Sequence, residues 1–360
     1  MTATSNPNAG SDPTASSDQT AASGDAGGAP DRSSPVVQLA DSAWTLHRAT
    51  LTAEFPTASW LVVGSETLQM VAPDGTATDV EWDDATADVA WIDLSAFRAD
   101  SMRRLFRLTI SSATPPAWVH SSAAGTDAPI WQSMRERGSM LSGSHLSGVP
   151  ISEYVIGQVL QWFRRSAGYE QARATKTWDS GEFREIHGSR WVVVGLGSIG
   201  GRVADLATAF GAEVVGVRAT PRGDEPWPTH ALSELPDLVG DADVIAFSLP
   251  ATGDTVGLVD ASFLDRCKDD AVIVNVGRGS LIVEDDLRIA LDDGRLGGAI
   301  LDVTETEPLP EDHWLWEHPL VALTPHGSAT STGRFDRCRD RFVANLHLWM
   351  AGDEVPHTVR

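Results

Sequence analysis

Apolar residues are spread unevenly along this chain, and their spacing divides it into three stretches. Residues 1–35 hold Ala, Ser, Thr, Gly, Asp and Pro with almost no bulky apolar side chain. Such a stretch buries too little surface to offset its ordering entropy, so the pattern predicts a disordered acidic tail. Residues 36–149 show short apolar runs broken by turn residues. Trp60–Val63, Val89–Ile92 and Ala117–His120 read as buried strands, and Ser101–Arg107 reads as helical.

Pro150 then opens a longer amphipathic pattern. Ile151, Tyr154, Val155, Val159, Trp162 and Phe163 form one apolar stripe, and proline suits a first helical turn. The pattern predicts one helix running to about Ala174. Beyond it, near-continuous apolar runs alternate with helical segments: Val192–Val194, Val214–Val217, Val244–Leu249, Ala271–Val276, Ala299–Val303 and Leu320–Leu323. Runs of that kind belong to strands covered on both faces of a parallel sheet. A last helix is predicted over about Phe335–Met350. The expected class is α/β, with two Rossmann-like, doubly wound parallel sheets. Residues 36–149, completed by 331–360, would form a substrate-binding domain, and residues 150–330 a dinucleotide-binding domain.

Composition narrows the chemistry. The 360 residues carry a formal net charge of -23, which argues against nucleic-acid binding through clustered cations. Lys176 and Lys268 are the only lysines, so cationic work falls to arginine, whose planar fork suits carboxylates and phosphates. Cys267 and Cys338 are far apart, and no Cys/His spacing suits a metal, so no metal is expected and both thiols read as reduced in a cytoplasmic protein. No apolar run approaches the ~20 residues of a membrane span. The first residues lack the basic and apolar regions of a secretory signal.

Candidate chemistry begins at Gly195-Leu-Gly-Ser-Ile-Gly200, directly after a predicted strand and before a helix. Gly195 permits a tight turn, and Gly197 lets the backbone approach a pyrophosphate. Gly200 allows close helix–strand packing, and the amides around Ser198 and Ile199 face the ligand. At the end of the next strand an NAD enzyme usually offers Asp or Glu to the ribose hydroxyls. Here Arg218, Thr220 and Arg222 stand in that stretch. Two guanidiniums and a hydroxyl suit a 2′-phosphate, so NADP(H) is the preferred cofactor, with NAD(H) retained as an option.

Three further residues follow in fixed order. Arg278 in Asn275-Val-Gly-Arg-Gly279, Glu307 before Pro308 and His326 after Pro325 each lie just past a predicted strand end. Ligands of open α/β sheets bind at that edge. A guanidinium to hold a carboxylate, an imidazole to deliver a proton and a carboxylate to keep it protonated suit reduction of a 2-oxo acid. The small-residue loop Ser121–Asp127 offers amides to a substrate carboxylate, and Trp91 is the tryptophan placed near the substrate.

These residues resemble the D-2-hydroxyacid dehydrogenase family, from about Trp118 onward. The resemblance is carried by Ala124-Gly-Thr-Asp127, Ser152-Glu-Tyr154, the glycine turn, Ser248-Leu-Pro250, Arg278-Gly279, Glu307-Pro-Leu-Pro310 and Pro325-His326. Within the family, Val155–Arg165 and Ile282–Leu287 look most like bacterial glyoxylate/hydroxypyruvate reductases. The resemblance implies Arg278 as carboxylate anchor, Glu307 as partner of His326, and His326 as acid/base. It implies Ala124 and Gly125 amides on the substrate. Leu249, Pro250, Val276 and Asp302 would contact the cofactor, Asp302 near the nicotinamide amide. It further implies a homodimer built through the cofactor domain. Thr304 stands where the family often has an aromatic residue.

The implied activity is NADPH-dependent reduction of a small 2-oxo acid to the D-2-hydroxy acid. Two alternatives stand beside it: NAD-linked oxidation of another D-2-hydroxy acid, and a dinucleotide-sensing scaffold of the corepressor kind.

Overall fold

The computed structural model describes residues 32–123 and 129–359. The tail expected over residues 1–35 therefore lies almost wholly outside the described residues. In chain order the strands are β1 (Val36–Ala40), β2 (Ser59–Val63), β3 (Leu68–Val71), β4 (Ala77–Asp79), β5 (Val89–Ile92), β6 (Trp118–Ser121), β7 (Met140–Gly143), β8 (Arg190–Val194), β9 (Glu213–Arg218), β10 (Thr229–Ala231), β11 (Val244–Phe247), β12 (Val272–Asn275), β13 (Gly298–Leu301), β14 (Val321–Leu323) and β15 (Thr358–Val359). The helices are α1 (Asp41–Glu54), α2 (Met102–Ser111), α3 (Pro129–Glu136), α4 (Gly148–Phe163), α5 (Ser166–Ala174), α6 (Gly200–Ala209), α7 (Ala261–Leu264), α8 (Glu284–Asp292) and α9 (Arg334–Ala351).

Two sheets result. One has the order β15-β7-β6-β5-β1-β2-β3-β4, the other β10-β9-β8-β11-β12-β13-β14. The second sheet is parallel throughout. Its central strands are buried on both faces, which is why they read as apolar runs, whereas the edge strands β10 and β14 are half-buried. The first sheet is parallel from β7 to β2, and departs from the all-parallel expectation at its edges. There β3 and β4 form antiparallel additions, and β15 returns antiparallel to β7. The β4 residues are exposed, so they carry no apolar run that a sequence pattern would register.

The single helix expected over 150–174 is two. Gly148 starts α4, with Pro150 in its first turn, but Arg165 adopts a left-handed backbone at φ 55° and breaks the path. Its guanidinium pairs with Asp179 at 3.1 Å. The apolar stripe of α4 packs on the second sheet with Val193, Val214 and Val274, whereas no residue of α5 is fully buried.

The last helix, α9, returns to the first sheet. Phe342, Leu346 and Trp349 join Trp60, Trp91 and Trp118 in one core cluster. Trp91 is fully buried and stacks on Phe342, with centroids 4.3 Å apart and planes 3° apart. Its indole nitrogen donates to the Ser122 hydroxyl at 3.0 Å. This corrects the expectation that Trp91 meets the substrate: the face of β5 that carries it looks into α9.

Candidate active site

The second sheet reverses its order between β8 and β11, the place where open α/β sheets form a ligand crevice. Two glycines of the turn after β8 leave no space for a side chain. Gly195 has φ 99°, and a Cβ there would lie 3.1 Å from the Ser248 backbone. A Cβ on Gly200 would lie 1.9 Å from the Gly195 carbonyl oxygen. Gly197 differs: a Cβ there would meet nothing within 4 Å, so its backbone is open to the crevice. The first residue of α6 is Gly200, and no side chain caps that helix start. Its positive dipole end thus suits the phosphates of a dinucleotide.

The far end of the expected cofactor site holds a residue that sequence reasoning missed. Arg218, the last residue of β9, pairs with Glu225 at 3.0 Å. Glu225 also accepts from the amides of Arg222 at 2.9 Å and Gly223 at 2.8 Å. The Arg222 amide bond, followed by the Gly223 amide and the Arg218 guanidinium, holds this carboxyl down at about 2. A carboxylate therefore stands beside the arginines after all, supplied from seven residues along the loop. Thr220 and the Arg222 side chain are exposed.

Past β12, Asn275 shapes the loop: its amide nitrogen donates to the Arg278 carbonyl at 2.9 Å, and its oxygen accepts from the Gly277 amide at 3.0 Å. Arg278 donates to the Gly277 carbonyl at 2.9 Å. Gly279 must be glycine, since a Cβ would lie 1.8 Å from the Thr304 carbonyl oxygen.

Past β13 and β14, two loops meet. His326 has its Nδ1 2.8 Å from a carboxylate oxygen of Glu307. That contact makes Nδ1 the protonated nitrogen and leaves Nε2 for the crevice. The other Glu307 oxygen accepts from the Thr304 amide at 3.2 Å. Thr304 Oγ1 in turn donates to the Thr306 carbonyl at 2.9 Å, so at this position the side chain folds the loop rather than offering an aromatic face. Glu284, buried beneath, accepts from the Glu305 amide at 2.7 Å. Burial pushes its carboxyl above the usual range.

His326 sits at φ 49°, a left-handed conformation that few residues other than glycine adopt. Asp302 holds it there. The Asp302 carbonyl accepts from the His326 amide at 2.8 Å. The Asp302 carboxylate accepts from Thr324 Oγ1 at 2.6 Å and from the amides of Gly327 at 2.8 Å and Ser328 at 3.1 Å. Thr324 Oγ1 also lies 2.8 Å from the Tyr154 hydroxyl. One hydroxyl proton serves one acceptor, so Thr324 donates to Asp302 and Tyr154 donates to Thr324. Burial leads the causes that push the Tyr154 phenol up to about 12, so it stays a donor.

The glycine turn, Arg278, Asp302 and His326 meet at one cleft of about 460 Å³ between the two sheets. Gly197, Leu249, Pro250, Val276, Arg278, Asp302 and His326 line one wall, with Ser198 and Ile199 at the glycine turn. Ala123, Gly143 and His145 line the wall from the first sheet. Ala124 and Gly125, expected at the substrate, lie outside the described residues. Among the described residues no group of His, Cys, Asp or Glu is arranged to hold a metal ion. No described helix is long and apolar enough to cross a membrane.

The glycine turn, Arg278 and the His326 that pairs with Glu307 thus lie together on one edge of the second sheet. The chain belongs to the D-isomer specific 2-hydroxyacid dehydrogenase family. Residues 156–328 match the family model of its NAD-binding domain. Glyoxylate/hydroxypyruvate reductase A of Escherichia fergusonii is 36% identical over 189 residues, which is 51% of this chain and 59% of that protein. The chain thus spans less than two thirds of the length of that relative. An uncharacterised protein of Corynebacterium melassecola is 32% identical over 249 residues, 66% of this chain and 80% of its own length.

Solved structures agree across both sheets. A D-isomer specific 2-hydroxyacid dehydrogenase family protein of Aeromonas salmonicida superposes with TM-score 0.71 at 28% identity, over 90% of this chain and 98% of that one. The NADPH-dependent glyoxylate/hydroxypyruvate reductase of Sinorhizobium meliloti, solved with NADP and sulfate, gives TM-score 0.70 at 26% identity, over 91% and 98%.

Proposed function

We propose that this protein reduces small 2-oxo acids of the glyoxylate/hydroxypyruvate type to D-2-hydroxy acids with NADPH. The observation that carries the reading is the 2.8 Å contact of Glu307 with His326, which lines the cleft together with Arg278 and the glycine turn. Arg278 holds the substrate carboxylate and polarises the 2-oxo group. His326, its Nδ1–H directed at Glu307, gives the Nε2 proton to the carbonyl oxygen as the alcohol forms. Glu307 keeps the ring oriented and balances its charge. Bound NADPH supplies the hydride to C2. The open Gly197 backbone, the uncapped start of α6 and the close packing at Gly200 support a dinucleotide on this edge.

The NADP preference rests on Arg218 and Arg222, and on the S. meliloti reductase that carries NADP. Glu225 shares Arg218, so a 2′-phosphate must take over a guanidinium that a carboxylate already engages. In this reading residues 150–330 bind the cofactor, and 36–149 with 331–360 complete the substrate side. We place the enzyme in the cytoplasm, without nucleic-acid partners. We also propose a homodimer: no residue of α5 is fully buried and Trp178 beside it is 97% exposed, as expected of a face that meets a second copy.

The test is direct. Purified protein, NADPH and a panel including glyoxylate, hydroxypyruvate and pyruvate should show loss of nicotinamide absorbance. Absence of turnover with every member would defeat the proposal.

A further inference from the structure

The cleft wall contributed by the first sheet carries a feature that the proposed reaction does not use. His145 follows β7 and lines the cleft with Arg278 and His326. His357 precedes β15 and comes from the other end of the substrate-side chain. Their rings face each other at 4.5 Å, tilted by 41°. Both residues hold left-handed backbones, at φ 51° and φ 57°. Such conformations cost non-glycine residues energy and collect at functional sites. The pairing is also built in: Gly143 lies under the His145 ring, where a Cβ would come within 3.1 Å of Nε2.

We propose that His145, backed by His357, forms a second anion subsite of the cleft, which selects 2-oxo acids bearing another acidic group beyond C2. This rests on the reading of the cleft as a 2-oxo acid site. Arg278 and His326 on the opposite wall take the 2-oxo carboxylate, and the imidazole pair takes the distal acid.

The charges acting on His145 support that assignment. Burial, then His357, then Arg341 of α9 hold its imidazole below the ordinary histidine range. Arg341 is cationic and the two imidazoles offer N–H donors, in a chain whose net charge is -23. An incoming anion would be stabilised by that charge and those donors, whereas a methyl group would gain nothing there.

The test compares matched substrates. Oxaloacetate and 2-oxobutyrate differ by a carboxylate against a methyl group, as do 2-oxoglutarate and 2-oxovalerate. The wild-type protein should favour the dianion of at least one pair by about tenfold or more in kcat/KM, the scale of one charge-assisted contact. His145→Asn removes the imidazole but keeps a residue that tolerates the left-handed backbone. It should erase most of that ratio, through KM for the dianion. His357→Asn should shift the ratio the same way. Phosphohydroxypyruvate separates a phosphate from a carboxylate as the preferred distal group, and preference for either supports the subsite. Wild-type ratios near one with all dianions, or a His145→Asn ratio equal to wild type, would overturn the proposal. Glyoxylate distinguishes the two levels: its reduction without dianion preference removes the subsite alone, whereas no turnover of any 2-oxo acid removes the underlying reading as well.

Discussion

Replacing Asp302 by alanine should disable the enzyme through a residue that does no proton transfer itself. Its carboxylate serves Thr324 Oγ1, Gly327 N and Ser328 N at 2.6 to 3.1 Å, and is only 2% exposed. Each partly buried donor left without an acceptor costs about 1 to 3 kcal/mol, and water recovers part of this at a cleft edge. Taking about 1 kcal/mol for each of the three gives roughly 3 kcal/mol against the native turn. The left-handed backbone of His326 itself costs about 1 to 3 kcal/mol, and persists only while its surroundings hold it. The sum therefore favours release of the His326 turn. Loss of a positioned general acid lowers turnover by about 100-fold or more. Asp302→Asn should fall between alanine and wild type. The three donors all reach Oδ1, which an amide oxygen can replace, while losing the charge that strengthens each bond. Steady-state kinetics with NADPH, together with amide exchange of Gly327 and Ser328, would measure both effects. Turnover of Asp302→Ala within about threefold of wild type, far short of the usual general-acid contribution, would refute the positioning argument.

Other consequences follow from the same geometry. His326→Ala should lower turnover by about 100- to 10,000-fold while NADPH binding, read by nicotinamide fluorescence, stays largely intact. The double change Arg218→Ala, Arg222→Ala should cost NADPH efficiency about tenfold or more with little effect on NADH, since the latter lacks the phosphate. An unchanged NADPH/NADH ratio would make the arginines bystanders. Glu225 has its carboxyl lowered from an ordinary 4.5 to about 2. Its hold on the 218–225 loop is thus fully present above about 4.5, and is lost as pH falls toward 2. Exchange of the Arg222 and Gly223 amides, corrected for intrinsic rates, should lose protection across that window in wild type and show no such step in Glu225→Gln.

Much of the fold was legible because its causes are local. The glycine turn declares itself since Gly195 and Gly200 leave no space for a side chain, and buried parallel strands must be continuously apolar. The order Arg278, Glu307, His326 could be placed because each follows a strand, and strand ends share one edge of a sheet. What escaped depends on partners distant in sequence or on backbone breaks. Arg165 sits at a position that helical periodicity treats as ordinary, so the break between α4 and α5 was invisible. Trp91 misleads because α9, which covers its face of β5, begins more than two hundred residues later. Glu225 lies on a loop, where no periodicity reports that its carboxylate turns back to Arg218. Asp302 was legible as a residue near the cofactor, yet its grip on the 324–328 turn needs the folded β13–β14 edge. His145 and His357 meet only because β15 pairs with β7.

The central claim is that hydride reaches C2 of an acid anchored by Arg278 while His326 protonates the oxygen. It is tested most directly by reducing hydroxypyruvate with NADPH deuterated at nicotinamide C4 and resolving the product. The account predicts glycerate of the D configuration alone, with deuterium from one face of C4 at C2, and loss of that product in His326→Ala. Racemic or L-glycerate, deuterium absent from C2, or undiminished product from His326→Ala would contradict it.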